Sequence, residues 1–267
     1  MRKLIFAALV AFVSSSPALA ETPEQRGLAI TKEAQKRSEG WVDSKVEMKM
    51  ILENSQGEKS ERNMRLRALE LISDIDGDKS LTYFLSPADV QGTALLSFTH
   101  FTTPDDQWLF LPALKRVKRI ASANKSGSFV GSEFAFEDLL AQEVPRFTYK
   151  YLRDEPCPTD EAKALSCFVI ERFPTYENSG YTRQIGWTDK KEFLVRKLQY
   201  FDRKSEHSKT LHFAEYRAYQ GKFWRAHKLV MENHQTAKKT TLSFSNFEPN
   251  AKVDQTEFDP DALGRLR

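Results

Sequence analysis

Cysteine is nearly missing from this chain: two residues in 267, Cys157 and Cys167, and none directly after the N-terminal apolar run and its small-residue stretch. A lipid anchor on a processed N-terminal cysteine is therefore not expected, and a thiolate zinc centre would need more ligands. Long apolar runs are missing too. After the first 20 residues no stretch approaches the roughly 20 apolar residues of a membrane helix. Chemistry leaves no signature. The five histidines, His100, His207, His212, His227 and His234, form no HxH or HExxH pair, which removes support for zinc. There is no GxSxG nucleophile elbow and no glycine-rich phosphate loop. Asp105-Asp106 and Glu137-Asp138 are adjacent acids whose side chains diverge, so neither pair is a ready acid/base dyad. A strong surplus of one charge is also absent. Without Arg2 and Lys3, 38 basic residues face 37 acidic ones, which excludes the basic footprint of a nucleic-acid binder. No internal repeat, low-complexity tract or Pro/Gly-rich linker divides the chain.

The first 20 residues read as a secretory signal. Arg2 and Lys3 are its charged region, Leu4 to Val13 its apolar run, and Ala18-Leu19-Ala20 its small-residue cleavage site. Residues 21–267 then form one exported, periplasmic domain, expected to be monomeric. In an oxidising compartment the close pair Cys157 and Cys167, in PCPTDEAKALSC, is expected to be a disulfide, stabilising by about 2 to 3 kcal/mol.

Thr22 with Pro23 and Gln25 carries the marks of a helix start, a capping box with proline at the first position. That helix should run to about Glu39 and stop at Gly40, with a weak apolar face that makes it a cover. From Trp41 the period changes to two. Val46, Met48, Met50 and Leu52 alternate with Lys45, Glu47 and Lys49, the pattern of a half-buried strand. Asn54 to Gly57 reads as a turn, Arg62 to Ile72 as the returning strand, and Asp76-Gly77 as the next hairpin tip. DIDGDKS resembles a calcium loop superficially, but Lys79 stands where its glycine should be. Strands are expected at Leu81 to Leu85, Thr93 to His100, Gln107 to Leu111 and Lys115 to Ile120. Gln107 to Leu111 is apolar on both faces, which predicts a central place in the sheet. Phe134 to Gln142 reads as one short helix. Later candidates are Arg146 to Arg153, Ser166 to Phe173, Arg183 to Asp189, Leu194 to Asp202, Lys209 to Gln220, Trp224 to Asn233 and Thr240 to Phe247. FDPDALGRL at the end suggests a docking helical turn. The expected fold is mainly β with small α: a curved, incomplete antiparallel barrel of about ten or eleven strands, capped by short helices.

Three features stand out on this frame. The run Lys115, Arg116, Lys118 and Arg119 is either a solvated strand face or a contact for anionic groups, lipid phosphates or an acidic partner. Alternation places Arg116 and Lys118 on one face, opposite Lys115, Val117 and Arg119. Gly127 and Gly131 bracket a segment whose permissive backbone allows a hinge. Finally, with 19 Phe, 8 Tyr and 4 Trp, the strands bury much apolar surface but offer little helix to cover it. Either the sheet closes into a packed barrel, or its concave face stays partly unfilled and holds a ligand. Met48, Met50 and Met64 fit the second case, because thioethers adapt to varied apolar guests.

The segments PADVQGTALLS (Pro87 to Ser97), DDQWLFLPALKRVKRI (Asp105 to Ile120) and GSFVGSEFAFEDL (Gly127 to Leu139) resemble the outer-membrane lipoprotein-sorting protein family. That family is related in fold to the periplasmic carrier and receptor of the Lol pathway. The resemblance covers essentially the whole chain after the signal and implies a half-barrel sheltering lipid-modified cargo without a cofactor, as a carrier and not an enzyme. It further implies an RND-type inner-membrane exporter as partner. Val46, Met48, Met50, Met64, Leu66, Trp108 and Phe110 would then line the cargo site. Phe129, Phe134, Phe136 and Leu139 would form a lid hinged at Gly127 and Gly131. The alternative is a regulatory or scaffolding module that senses lipoproteins or docks on the exporter.

Overall fold

The computed structural model describes residues 20–73 and 75–266; the expected signal peptide and its apolar run lie outside the described residues, apart from Ala20. Helix α1 (Pro23–Ser38) starts at the expected capping box. The Thr22 hydroxyl accepts from the Gln25 amide at 3.2 Å while the Gln25 side chain accepts from the Thr22 amide at 2.9 Å. After Ser38 the chain turns through Gly40, whose φ of 95° suits glycine.

Thirteen strands follow among the described residues, more than the ten or eleven expected, because every periodic segment pairs. They are β1 (Asp43–Glu53), β2 (Lys59–Leu69), β3 (Asp76–Ser86), β4 (Ala94–His100), β5 (Asp106–Leu111), β6 (Arg116–Arg119), β7 (Phe147–Pro156), β8 (Ser166–Pro174), β9 (Tyr181–Asp189), β10 (Val195–Asp202), β11 (His207–Tyr219), β12 (Phe223–Asn233) and β13 (Lys238–Pro249). All belong to one antiparallel sheet in the order β6-β5-β4-β3-β2-β1-β13-β12-β11-β10-β9-β8-β7. Two meanders therefore meet where β1 pairs β13, and the sheet curves into an incomplete barrel with β6 and β7 as free edges. Three local expectations are corrected. Asp76-Gly77 opens β3 instead of forming a hairpin tip, because Asp76 already pairs with His100 of β4. Phe134 to Gln142 is not a helix but a crossing segment with one 3-10 turn, Phe136–Leu139, since Glu137 and Asp138 are drawn into bonds with the far limb of the sheet. And β5 is not central but next to the edge.

The last correction has a physical cause on the outer face. Trp108 and Phe110 of β5 point outward, where the C-terminal segment covers them: Val253, Phe258 and Leu263 pack with Leu81, Ala94 and Leu96. The expected docking turn is there, Pro260–Arg265, with Leu263 almost fully buried. A strand apolar on both faces is thus explained by a cover on the second face, not by a central position. At the other edge the loop closed by Cys157–Cys167, with its Cα atoms 5.0 Å apart, covers the outer face against Val169 and Trp187.

On the inner face two segments meet the sheet. Helix α1 lies on β7 and β8, with Ile30 against Phe147, Tyr149 and Ile170. Gly27 makes this seat possible: a Cβ there would stand 2.8 Å from the Tyr151 backbone nitrogen. The second segment, residues 120–146, runs from edge β6 to edge β7 across the mouth of the half-barrel.

Candidate functional site

The crossing segment folds back on itself, with the Phe129 amide donating to the Phe134 carbonyl at 2.8 Å and the Phe136 amide to the Gly127 carbonyl at 3.1 Å. Val130 and Gly131, at φ 46° and 76°, form the tip of this small hairpin, where glycine is favoured. Gly127 takes no such conformation; a Cβ there would lie 3.0 Å from the Asn124 carbonyl oxygen. Phe129, Phe134 and Phe136 drop into the main core with Met48, Met50, Met64, Phe84 and Leu95 of one limb and Tyr200, Leu211 and Met231 of the other, and Leu139 packs against its side. The structure therefore brings the three methionines and the aromatic residues of the segment together, as a packed plug at one end of the half-barrel. Phe129 and Phe134 are only 1% and 2% exposed, so a charge at Phe134 would cost core stability as well as any binding.

Polar bonds hold this plug on both sides. Glu137 accepts from Tyr176 Oη at 3.1 Å, Ser179 Oγ at 2.8 Å and the Gly180 amide at 2.8 Å. Asp138 accepts from the Ala135 amide at 2.7 Å and from Tyr181 Oη at 2.9 Å. Burial raises both carboxyls above their ordinary range. The Glu133 carboxylate accepts from Asn233 Nδ2 at 2.6 Å, and the Gln107 side chain donates to the Phe136 carbonyl at 3.0 Å. The two feet of the segment meet at Asp105. Arg146 holds its carboxylate with two bonds of 3.1 and 3.0 Å, and the Lys125 ammonium donates to its backbone carbonyl. Arg146 also donates to the carbonyls of His100 and Thr103, which satisfies a buried guanidinium.

The other end of the concave face is open. Beneath the C-terminal turn of α1 lies a cavity of about 550 Å³, walled by Val46, Leu66, Phe213, Leu229, Phe244 and Phe247 among others. A second lobe of about 470 Å³ runs on beneath α1 toward β8 and shares Ser38, Gln142, Phe213, Tyr216 and Trp224 with the first. Val46 and Leu66 of the sequence-derived set thus reach open space, the methionines sit under the plug, and Trp108 and Phe110 are not brought to the concave face at all. The basic run is elsewhere again. Lys115, Arg116 and Lys118 are exposed on or beside the edge strand β6, and Arg119 pairs with Asp106.

Several wall residues escaped the sequence reading: Trp41, Phe213, Tyr216, Trp224 and Phe247, together with the polar groups Asp78, Arg172 and Arg225. Their strands were legible, but nothing in a period-two pattern tells a filled inner face from an empty one. Asp78 accepts from the Leu71 amide at 3.1 Å while its own amide donates to Glu143 at 3.3 Å. Burial, then the neighbouring Glu143, pushes its carboxyl up to about 7. The histidines have ordinary structural partners. His227 is bonded to Tyr219 Oη at 2.6 Å and the Phe244 carbonyl at 2.8 Å, while His212 lies 3.8 Å from Glu232. Among the described residues no group of three or more His, Cys, Asp or Glu side chains is placed to hold a metal ion.

The chamber is plugged at one end and roofed by a helix at the other, and other proteins share the fold that frames it. A family model described as an uncharacterized protein matches residues 76–265. No curated protein matches the sequence significantly. Among solved structures, a DUF1329 family protein from Desulfovibrio piger is 26% identical with a TM-score of 0.83, covering 91% of this chain and 99% of its own. A LolA superfamily protein from Nitrosomonas europaea shares the fold at 16% identity and a TM-score of 0.67, over 88% of this chain and 98% of its own. A domain from Vibrio parahaemolyticus, described as that of an outer membrane lipoprotein-sorting protein, is 47% identical with a TM-score of 0.86, over 91% of this chain and all of its own. The chain belongs to the outer-membrane lipoprotein-sorting protein family.

Proposed function

We propose that this protein is a periplasmic carrier that binds lipid or lipid-modified cargo in the cavity beneath α1 and moves it between an RND-type inner-membrane exporter and the outer membrane. The observation that supports it best is the open apolar lobe of about 550 Å³, a volume within the usual range for ligand sites. Each methylene buried there contributes roughly 0.8 kcal/mol, so an acyl chain binds without covalent chemistry, cofactor or nucleophile. The exposed basic edge at β6 suits contact with an acidic partner or an anionic membrane surface, away from the cargo.

In this reading the moving cover is α1. Its described seat buries only Gly27 and Ile30 fully, and its C-terminal turn is held by single bonds, Arg225 to the Ser38 carbonyl at 3.1 Å and Arg37 to the Lys191 carbonyl at 3.2 Å. Native mass spectrometry of protein purified without detergent, together with titration of a fluorescent acyl probe, tests the carrier. Bound lipid or micromolar probe binding is expected. Filling the cavity with Ala68→Trp, a wall position, should weaken the probe by at least about tenfold. An empty protein that takes up no probe, yet retains a membrane partner in a pull-down, would replace the carrier by the docking module.

A further inference from the structure

The cavity walls carry two guanidinium groups that form no contact ion pair with a carboxylate among the described residues. Arg225 donates to the Trp224 carbonyl at 2.9 Å and the Ser38 carbonyl at 3.1 Å, and its guanidinium lies over the rings of Phe223 and Trp41. Arg172 donates to Gln184 Oε1 at 2.7 Å and Gln142 Oε1 at 3.1 Å, with its guanidinium 4.4 Å from the Phe147 ring centre. Every one of these partners is neutral, and neither arginine forms an ion pair within 4.0 Å among the described residues. Arg225 stands in the wall of the first lobe and Arg172 in that of the second. Carboxylates are near: Asp78 in the first wall and Glu192 in the second. Burial works against the charge of Asp78, so it is a weak counter-ion for Arg225. Glu70, the other carboxylate that acts on Arg225, is engaged by the Gly40 and Val42 amides at 2.7 and 2.8 Å.

An arginine in a largely apolar wall, held in place by neutral oxygens and rings but without a contact ion pair, is arranged to receive an anion. Its planar fork matches carboxylate and phosphate oxygens, and the low-dielectric surroundings strengthen the bond. We propose that the cavity selects acyl ligands with an anionic head, a carboxylate or phosphate group received by Arg225 in the first lobe or by Arg172 in the second, while the chain lies along Val46, Leu66, Phe213 and Leu229. This rests on the carrier reading and adds the class of head group to it.

The test compares a fluorescent fatty acid with its methyl ester on the full chain, with inorganic phosphate as competitor. The acid is expected to bind about ten- to a hundredfold more tightly than the ester, the range for a hydrogen bond to a charged group. Arg225→Met and Arg172→Gln should each shrink the acid-to-ester ratio. Because this contrast is read on the unaltered protein first, it survives a variant that fails to fold. Equal affinity for acid and ester overturns the head-group selection but leaves the carrier standing. Failure of both to bind overturns the carrier itself. Inorganic phosphate that displaces neither probe supports a site requiring chain and head together; displacement of the acid by phosphate alone at micromolar concentration reassigns the site to free anions and overturns the proposal.

Discussion

Asp78 offers a sharp test of how the cavity wall is built, because its carboxyl is pushed from 3.8 up to about 7 by burial and by Glu143. A carboxyl whose folded value lies above its unfolded value binds more protons folded than unfolded. Stability therefore falls as pH rises through the window from about 3.8 to about 7, and the loss is complete above it. The shift corresponds at most to roughly 4 kcal/mol. Asp78 is only partly buried, so solvent screening brings the expected effect to about 2 kcal/mol. Asp78→Asn removes the charge and keeps an oxygen to accept from the Leu71 amide. At pH 8 the variant should be more stable by about 2 kcal/mol, a rise in Tm of about 4 to 8 °C for a chain of this size. At pH 4 the two proteins should melt within about 2 °C of each other. Thermal melts by circular dichroism at both pH values decide it. A variant equally stabilised at both, or less stable at pH 8, would refute the claim that a buried charge is the cost.

Asp105→Ala should be far more damaging, by about 3 to 5 kcal/mol, since it strands the buried Arg146 and Lys125 that tie both feet of the crossing segment; chemical denaturation reads this, and a loss below 1 kcal/mol contradicts the tether. Gly27→Ala should destabilise by about 1 to 3 kcal/mol through overpacking, opposite in sign to the gain of about 1 kcal/mol expected at an exposed helix position; a more stable variant means that α1 is not seated on the β7 backbone. Cys157→Ser with Cys167→Ser should cost about 2 to 3 kcal/mol by the loop-entropy relation, and unchanged denaturation midpoints in reducing and non-reducing buffer would argue against the bond. In hydrogen exchange the amides of α1 should open well before those of Phe129, Phe136 and Glu137; the reverse order would return the role of lid to the crossing segment.

The sequence made most of the strands legible because a period of two survives in them, and the capping box of α1 is a purely local bond pattern. What escaped it concerns what lies across from a strand. Trp108 and Phe110 read as cargo lining, but they are half-buried on the outer face, and their cover comes from Val253, Phe258 and Leu263, more than 140 positions away in the chain. Met48, Met50 and Met64 read as adaptable lining, yet the crossing phenylalanines fill the space over them. Volume complementarity across a barrel is not a periodic property. Arg172 and Arg225 did leave a signal that was passed over: each occupies an inward turn of the alternation, after Phe168 and Ile170 in β8 and after Phe223 in β12. A charge in register with buried apolar residues is a stronger pointer to a site than the denser Lys115 to Arg119 run on an edge.

The topology itself argues for which end opens. A sheet with free edges at β6 and β7 must be bridged by residues 120–146, and that bridge is continuous with both edges. Lifting it would expose Phe129, Phe134 and Phe136, at roughly 1.5 to 3 kcal/mol each, and strip Glu137 of three donors and Asp105 of two cations. Helix α1 has no such obligations: its last turn leaves the sheet through Gly40, whose positive φ lets the chain pivot next to the cavity mouth. Displacing that turn breaks two bonds, from Arg225 to the Ser38 carbonyl and from Arg37 to the Lys191 carbonyl. In the proposed carrier it would thereby free one of the donors that an incoming anionic head takes, so part of the cost of opening would be returned on binding. The packed end of the half-barrel gives the rigid frame against which such a cover can move.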